Sequence, residues 1–223
     1  MGFGEGADDE TLSRFFSLWL NIAQAGDEKA QLQVAGFYLE GTGVEASVTE
    51  AVKWMKAAAE KGNAVAQVRL GGLLLQSQEA AGDPAEAAAL FQQAATRGSV
   101  DGEYNLGVCY RLGVGVPADR DRARSLYFSA ALKGHHSAQL ALADLLVEVG
   151  DESALKEAVK WYEEASAAGI PEAFFGLAHL YETGKGVYPD RERAIQLNRR
   201  AGESGHVGAE EALNRLTGVQ SAA

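Results

Sequence analysis

The stretches "YRLGVGVPADRDRARSL" (110–126) and "YETGKGVYPDRERAIQL" (181–197) agree at nine of seventeen positions. They share a tyrosine, a Gly-x-Gly pair, a valine, an aspartate, two arginines, an alanine and a leucine. A Gly-x-Gly that binds the phosphates of a dinucleotide follows a strand and continues to a third glycine. Here the third glycine is absent and the preceding residues have helical spacing. The shared pattern therefore indicates the corner of a repeated helical unit.

A repeat of about 36 residues runs through the chain. Glycines recur at steps of 36, 36, 36, 35 and 36 residues, at Gly26, Gly62, Gly98, Gly134, Gly169 and Gly205. Four residues after each glycine comes alanine or glycine, and eight after comes an aliphatic residue. This spacing marks one face of a helix, which we call helix A.

A second helix, helix B, precedes each of these glycines. Eleven residues before five of them is an alanine, and eight before all six is leucine or tryptophan. Small residues at fixed places let helices A and B approach closely, and the large residue fills the next gap. The column eight residues before the glycine includes Leu18, Trp54 and Trp161, and we assign both tryptophans to the core.

The Gly-x-Gly corner connects helix A to helix B. Gly113 and Gly184 are predicted to end helix A with positive φ, because glycine adopts the left-handed region without a steric penalty. Asp119 and Asp190 are predicted to cap helix B. The second and fourth repeats lack Gly-x-Gly, so their corners must differ, and the 35-residue step predicts a shorter corner in the fourth.

These columns resemble the Sel-one-like repeat family, a branch of the tetratricopeptide-like helix-pair proteins. The likeness is clearest where Leu106, Gly107, Tyr110, Gly113 and Gly115 follow the family's Leu-Gly-x-x-Tyr-x-x-Gly-x-Gly motif. It covers about residues 10–216 and implies an all-α fold. The expected architecture is an α/α solenoid, a superhelix of antiparallel helix pairs, with about five repeats plus capping helices.

The register also predicts the organisation of the chain. We expect a single repeat domain over residues 10–216, between a disordered N-terminus at 1–9 and a disordered tail at 217–223. Its parts are a capping helix (10–26), five repeats (27–62, 63–98, 99–134, 135–169 and 170–205) and a final helix (207–216).

Composition excludes some partners and compartments. The net charge of -11 argues against nucleic acid, which needs a basic stripe, and against an anionic membrane surface. The apolar run 14–26 is too short to span a bilayer and follows acidic residues, so neither membrane insertion nor a signal peptide is expected. With the single cysteine Cys109, no intramolecular disulfide can form, and the cytoplasm is the simplest location. Periplasmic or secreted location remains the alternative if a signal peptide was removed.

No catalytic constellation is visible, so we predict a protein that is not an enzyme and that has no cofactor and no metal. Cys109 lies in an apolar helix A column and reads as a small buried hydrophobe. His135 and His206 follow the inter-repeat glycine, where other repeats have asparagine, serine or isoleucine, and this variety argues against a catalytic or metal role. His179 and Glu182 lie one turn apart and suit either a surface hydrogen bond or a weak metal site.

The predicted function is a non-catalytic interaction scaffold or adaptor that binds a protein or an extended peptide, with the chain itself a monomer. By resemblance to tetratricopeptide arrays, the concave face is made by helix A, at positions 3, 6, 10, 13 and 14 after each glycine. The candidate partner-binding residues are Lys29, Leu32, Gln76, Tyr104, Arg111, Asp144, Phe175, His179 and Glu182. Tyr104 and Arg111 form the best anchor pair, whereas Leu32 and Phe175 could equally pack between repeats. The alternative is an enzyme or a binding protein for small ligands such as cell-wall fragments, of the secreted repeat type, although this chain lacks the paired cysteines of that type.

Overall fold

The computed structural model describes residues 9–76 and 82–218, which contain twelve α-helices and no strand. The helices are α1 (Asp9–Gln24), α2 (Glu28–Glu40), α3 (Val48–Glu60), α4 (Ala64–Gln76), α5 (Pro84–Thr96), α6 (Val100–Leu112), α7 (Arg120–Leu132), α8 (His136–Val149), α9 (Glu152–Ala167), α10 (Pro171–Thr183), α11 (Arg191–Glu203) and α12 (Ala209–Thr217). The predicted all-α class is confirmed. Of the ends expected to be disordered, residues 1–8 and 219–223 lie outside the described residues.

The helices form two compact units, of which unit 1 ends at Ala123 and unit 2 begins at Arg124. In unit 1, each helix from α1 to α6 packs on the next, and α4 also contacts α6. In unit 2, each helix from α8 to α12 packs on the next, and α8 also contacts α10. Neighbours joined by short turns and packed side by side must run in opposite directions. The even-numbered helices are the A helices of the sequence register, and the odd-numbered ones are the B helices.

Small and aliphatic columns form the core, as predicted. The alanines four residues after the glycines are fully buried, as are the aliphatic residues eight after them, from Val34 to Leu177. Each such large side chain contributes about 1.5–3 kcal/mol through its burial. The ends of the array differ: Leu18 in α1 is 62% exposed and Leu213 in α12 is half-buried. Leu18 thus differs from Leu90 and Leu197 of the same column, which are buried.

The first glycine of each Gly-x-Gly ends helix A in the left-handed conformation. Gly41, Gly113 and Gly184 have φ values of 70°, 71° and 70°, and the amide of Gly113 donates to the Cys109 carbonyl four residues back. Positive φ at Gly113 and Gly184 is therefore confirmed. The aspartate caps are also present, since the Asp119 carboxylate accepts from the Arg122 amide at 3.0 Å. Asp190 accepts from the Arg193 amide in the same way.

The second glycine of the corner is required for a different reason. A Cβ at Gly115 would overlap the carbonyl of Pro84 and come within 2.8 Å of the Ala85 amide nitrogen, at the start of α5. Gly186 lies equally close to the Leu155 backbone in α9. This glycine thus brings the corner into backbone contact with the helix B of the preceding repeat, an approach that only a residue without a side chain allows.

The fourth corner is shorter, as predicted. Gly150 ends α8 with φ 74°, and its amide donates to the Leu146 carbonyl. Asp151 follows at once as the N-cap of α9, its carboxylate accepting from the Ala154 amide at 2.8 Å. Two residues therefore replace the seven of the Gly113–Asp119 corner. The second corner lies partly outside the described residues.

The residue after most inter-repeat glycines caps the next helix A with its side chain. In four of the repeats this residue is Asp27, Asn63, Ser99 or His135. Its side chain accepts a hydrogen bond from the backbone amide three residues further along the chain. Ile170 makes no such bond, but Pro171 occupies the first helical position, where no amide hydrogen is needed. The varied residues of this column therefore have a common acceptor function, which the sequence did not reveal.

A buried glutamine links helix A to the end of the preceding helix B. Five residues after the glycine, Gln67 donates from Nε2 to the Ala59 carbonyl at 3.1 Å and to Oε1 of Gln93 at 3.1 Å. Gln31 and Gln139 donate to the equivalent carbonyls at 3.3 and 3.4 Å. All three glutamines are buried. The glutamine therefore anchors one repeat on the next with a side chain that also fills the core.

Candidate interaction surfaces

The predicted helix A positions of unit 1 lie on one stripe of α2, α4 and α6, which we call the helix A surface of unit 1. Lys29 and Gln76 are exposed, and Tyr104 and Arg111 are half-buried. Leu32 is only 9% exposed and belongs to the packing, which was one of the two readings left open for it. The other four residues are accessible to a partner.

The predicted positions of unit 2 are largely engaged within the unit. The Asp144 carboxylate accepts a 2.6 Å hydrogen bond from the Tyr162 hydroxyl. The ring of Phe175 stacks on His206, with centroids 4.1 Å apart. His179 is exposed. In unit 2, then, several candidate residues hold helices together.

Glu182 and its neighbours fix the last helix. Its carboxylate binds the Arg215 guanidinium of α12 at 2.9 Å. Arg191 donates to the Leu216 carbonyl near the end of α12, from Nε at 3.0 Å and from Nη2. A cation is favourable there because the carbonyls at a helix C-terminus carry partial negative charge. Glu182 is thus committed to an ion pair, so the metal-binding alternative for His179 and Glu182 loses one of its two ligands.

Exposed apolar side chains lie on the helix A surface of unit 1 and were not singled out from the sequence. Leu39 and Leu75 are each 40% exposed, and Leu112 is 65% exposed. They occupy the columns 13 and 14 residues after the glycine, which the sequence analysis had assigned to the binding face. The available signal was Leu112, which stands in a column that otherwise holds the polar residues Glu40, Gln76, Glu148 and Thr183.

Two glycines on the same surface have no packing role. Gly36 and Gly72 occupy equivalent positions in α2 and α4, ten residues after the repeat glycine. A Cβ built on either finds no atom within 4 Å. Glycine in a helix interior lowers stability by about 0.5–1 kcal/mol relative to alanine. Nothing within the fold compensates this loss, and the two residues expose helix backbone on the predicted face.

The groups considered for chemistry are placed as follows. Cys109 is buried, and burial raises the pKa of its thiol, which makes it a poor nucleophile. Within residues 9–76 and 82–218, no three His, Cys, Asp or Glu side chains come together as metal ligands. No helix in the described part of the chain is long and apolar enough to cross a membrane.

An aromatic groove lies on the helix B side of unit 2. It has a volume of about 870 Å³ and runs along α9 beside the end of α7, with Leu132 and Trp161 in its lining. Phe128 packs edge-to-face against Trp161 at a centroid distance of 6.0 Å. Trp161 donates from Nε1 to the Glu157 carboxylate at 3.2 Å. The assignment to the core fits Trp54, which is half-buried and packs against the buried cluster that contains Phe16 and Phe37. It is wrong for Trp161, which is half-buried and forms part of a surface.

Comparison with known proteins identifies the repeat. A family model for the Sel1 repeat matches residues 28–63, 64–99, 100–135, 136–170 and 171–206. The chain belongs to the Sel1 repeat family. Five Sel1 repeats account for most of its length, each beginning one residue after the boundary derived from the glycines. The Sel1 array is a scaffold fold that commonly serves protein interaction.

Solved structures share this arrangement. A protective antigen present in uropathogenic Escherichia coli strains aligns with a TM-score of 0.86 and 33% identity, over 92% of this chain and 44% of the antigen. The chain thus spans less than half of the antigen's length. A Sel1 repeat protein from Oxalobacter formigenes aligns with a TM-score of 0.79 at 22% identity, over 98% of this chain and 92% of that one.

An immunity protein from Pseudomonas aeruginosa aligns with a TM-score of 0.54 at 17% identity, over 98% of this chain and 83% of that one. The likeness to it and to the Oxalobacter protein shows the fold alone. A comparison with curated protein sequences finds no match.

The third Sel1 repeat departs from the others in the aromatic groove. Six residues before the repeat glycine the other repeats have Lys56, Gln92, Glu163 and Arg199, and two before it they have Glu60, Thr96, Ala167 and Glu203. The third Sel1 repeat has Phe128 and Leu132 instead, which are 43% and 65% exposed. In the first repeat the equivalent position is polar, because Lys56 forms a 2.9 Å ion pair with Glu86 of the next repeat.

Proposed function

We propose that this chain is a non-catalytic interaction scaffold that binds a protein or an extended peptide through the helix A surface of unit 1. The observation that carries the proposal is the pair Gly36 and Gly72, which weaken their helices, have open space beside them and lie on the predicted face. Helix backbone bared in this way lets a partner chain approach closely. The exposed leucines of the same surface, Leu39 and Leu75, supply apolar contact area beside it.

The chemistry of the surface suits a partner of mixed charge. Lys29 and Arg111 are basic, whereas Glu40, at the end of α2, is acidic. Tyr104 and Arg111 are the residue types that most often dominate the binding energy of protein interfaces. The candidate residues of unit 2 add less to the proposed binding face, because most of them make contacts within their own unit. His179 is exposed and can add to it. We further infer that the chain acts as a monomer in the cytoplasm, where its single cysteine needs no partner.

The anchor pair provides the direct test. Once a partner has been captured with the intact chain, replacing Tyr104 and Arg111 together by alanine is expected to weaken its binding by about 2 kcal/mol or more, roughly thirtyfold. Titration calorimetry measures the affinity and a thermal melt checks the fold. The matched control is Tyr188→Ala with Arg199→Ala, which removes the same residue types from exposed positions of unit 2. Equal affinities for the two double variants would place the binding surface elsewhere.

The glycines give a test in which stability and binding move in opposite directions. Gly36→Ala and Gly72→Ala are each expected to raise the free energy of unfolding by about 0.5–1 kcal/mol, because alanine is the better helix former. The added methyl groups should weaken partner binding at the same time. The control is Gly202→Ala in α11, where a Cβ meets only the Ala209 methyl at 3.6 Å. This change should also stabilise the chain but leave the affinity unaltered, and unchanged affinity in all three variants contradicts the proposal.

A further inference from the structure

Phe128, Leu132 and Trp161 form an apolar patch on the helix B side of unit 2, which we call the aromatic patch. Monomeric proteins expose single hydrophobic residues routinely, but adjacent large ones that rim a groove mark an interaction site. The patch is not a consequence of the repeat, because the other four Sel1 repeats have no pair of large apolar residues at the positions of Phe128 and Leu132.

The contact between repeats does not need these residues either. Between the first and second repeats, the positions equivalent to Phe128 and Glu157 hold Lys56 and Glu86, whose ion pair leaves a polar surface. Between the third and fourth repeats, Phe128 replaces the lysine and Glu157 accepts from Trp161 instead. A polar solution to the same packing problem therefore exists in the chain. The fold therefore does not require the apolar area that the aromatic patch exposes.

Charge indicates the kind of partner. Glu157 and Glu164 lie on α9 four residues before and three after Trp161, so they flank its ring on one helix face. Both line the groove. Lys156 and Lys160 also line it, and Lys156 is bound to Glu152 at 2.6 Å. Helix α9 carries four glutamates and two lysines, and the whole chain has a net charge of -11. With Lys156 paired to Glu152, the lining holds two glutamates against Lys160, and this excess of negative charge favours a cation over the face of the Trp161 ring.

We propose that the aromatic patch is a second docking surface, which binds a basic amphipathic segment of another protein. The apolar side of the segment would cover Phe128 and Leu132. An arginine of the segment would stack on the Trp161 ring and pair with Glu157 or Glu164. The patch lies wholly in unit 2 and does not depend on the helix A surface of unit 1.

The test uses the full chain and a synthetic helical peptide of about 18 residues with one leucine face and one arginine face. A second peptide has glutamate in place of every arginine. Fluorescence anisotropy of the labelled peptides measures binding. Phe128→Gln with Leu132→Thr installs the pair found in the second Sel1 repeat and is expected to weaken binding of the arginine peptide at least about tenfold. The matched control, Gln92→Ala with Thr96→Ala, changes the same two positions of the second repeat and should leave the affinity unchanged.

Each outcome decides the proposal. Preference for the arginine peptide, lost in the Phe128→Gln/Leu132→Thr variant and kept in the control, supports it. Equal affinity for the glutamate peptide removes the role of Glu157 and Glu164 and overturns it. Undiminished binding by the variant, or binding of neither peptide, also overturns it. Sedimentation of the chain without peptide tests whether a second copy of the chain occupies the patch. A dimer that disappears in the Phe128→Gln/Leu132→Thr variant would show this and would overturn the proposal. Circular dichroism melts confirm that each variant folds.

Discussion

Replacing Gly115 by alanine is expected to lower the free energy of unfolding by about 3 kcal/mol or more. Two costs combine. The residue has φ 70°, a region that costs an alanine about 1–2 kcal/mol. In addition, the new Cβ overlaps the Pro84 carbonyl, and relieving such overpacking typically costs about 1–3 kcal/mol. Urea denaturation followed by circular dichroism measures the loss.

Substitutions at two other glycines allow these two costs to be measured separately. At Gly98, with φ 85°, a Cβ would meet no atom within 4 Å, so Gly98→Ala reports the backbone conformation alone. At Gly113 a Cβ would meet the Ala118 methyl at 3.4 Å, an ordinary contact. Both substitutions should therefore cost about 1–2 kcal/mol. If Gly115→Ala costs no more than these two, the corner does not depend on the close approach to α5.

Replacing Gln67 by alanine is expected to cost about 2–4 kcal/mol. The side chain is buried and donates two hydrogen bonds, to the Ala59 carbonyl and to Gln93. Alanine removes both bonds and leaves a cavity of several heavy atoms, which adds to the loss. Thermal and urea denaturation of the variant give the free energy directly.

Variants of the same column divide the effect of Gln67 into its parts. Gln67→Leu fills most of the volume without donating, so about half of the loss should be recovered. The fifth repeat supports this expectation, because Phe174 occupies the equivalent position and packs under Arg200, whose guanidinium lies 4.3 Å from the ring centre. Gln33→Ala, at an exposed position of α2, serves as the control and should change stability little. A loss for Gln67→Ala as small as that for Gln33→Ala would show that neither the hydrogen bonds nor the volume of the glutamine contributes to stability.

The fold could be predicted because the same helix-pair geometry recurs along the chain, so the same packing contacts recur at fixed positions in each repeat. The columns of small residues hold only alanine or glycine because two helix backbones approach there. The column of Gly113 holds glycine wherever helix A ends with positive φ in a Gly-x-Gly corner. Other columns keep one structural role, such as accepting a hydrogen bond, although the residue type varies. An N-cap needs one acceptor atom, which Asp27 and His135 supply equally well, so sequence similarity does not reveal it. Trp161 shares a column with Leu90, and only the structure shows that one is half-buried and the other is in the core.

The candidate surfaces were less predictable because they depend on neighbours that periodicity does not specify. The helix A stripe stays a prediction as a binding face, and two of its residues, Glu182 and Phe175, are taken up by α12 and the turn before it. That outcome depends on where Arg215 and His206 lie in space. The aromatic patch was visible as a departure from the pattern at Phe128 and Leu132. A departure in a single repeat has no periodicity to mark it, and its exposure depends on how the neighbouring helix packs.

The succession of neighbour-to-neighbour contacts within each unit has a consequence for local opening. Helices contact mainly those adjacent in the chain, and the longer contacts, α4 with α6 and α8 with α10, reach only the next repeat. In such an array the stability of one helix pair depends on its immediate neighbours, and a pair can open without unfolding the rest. A ligand that spans α2, α4 and α6 would couple helices that otherwise open separately. Its binding energy would appear as slower amide exchange across unit 1, including in core helices that the ligand never touches.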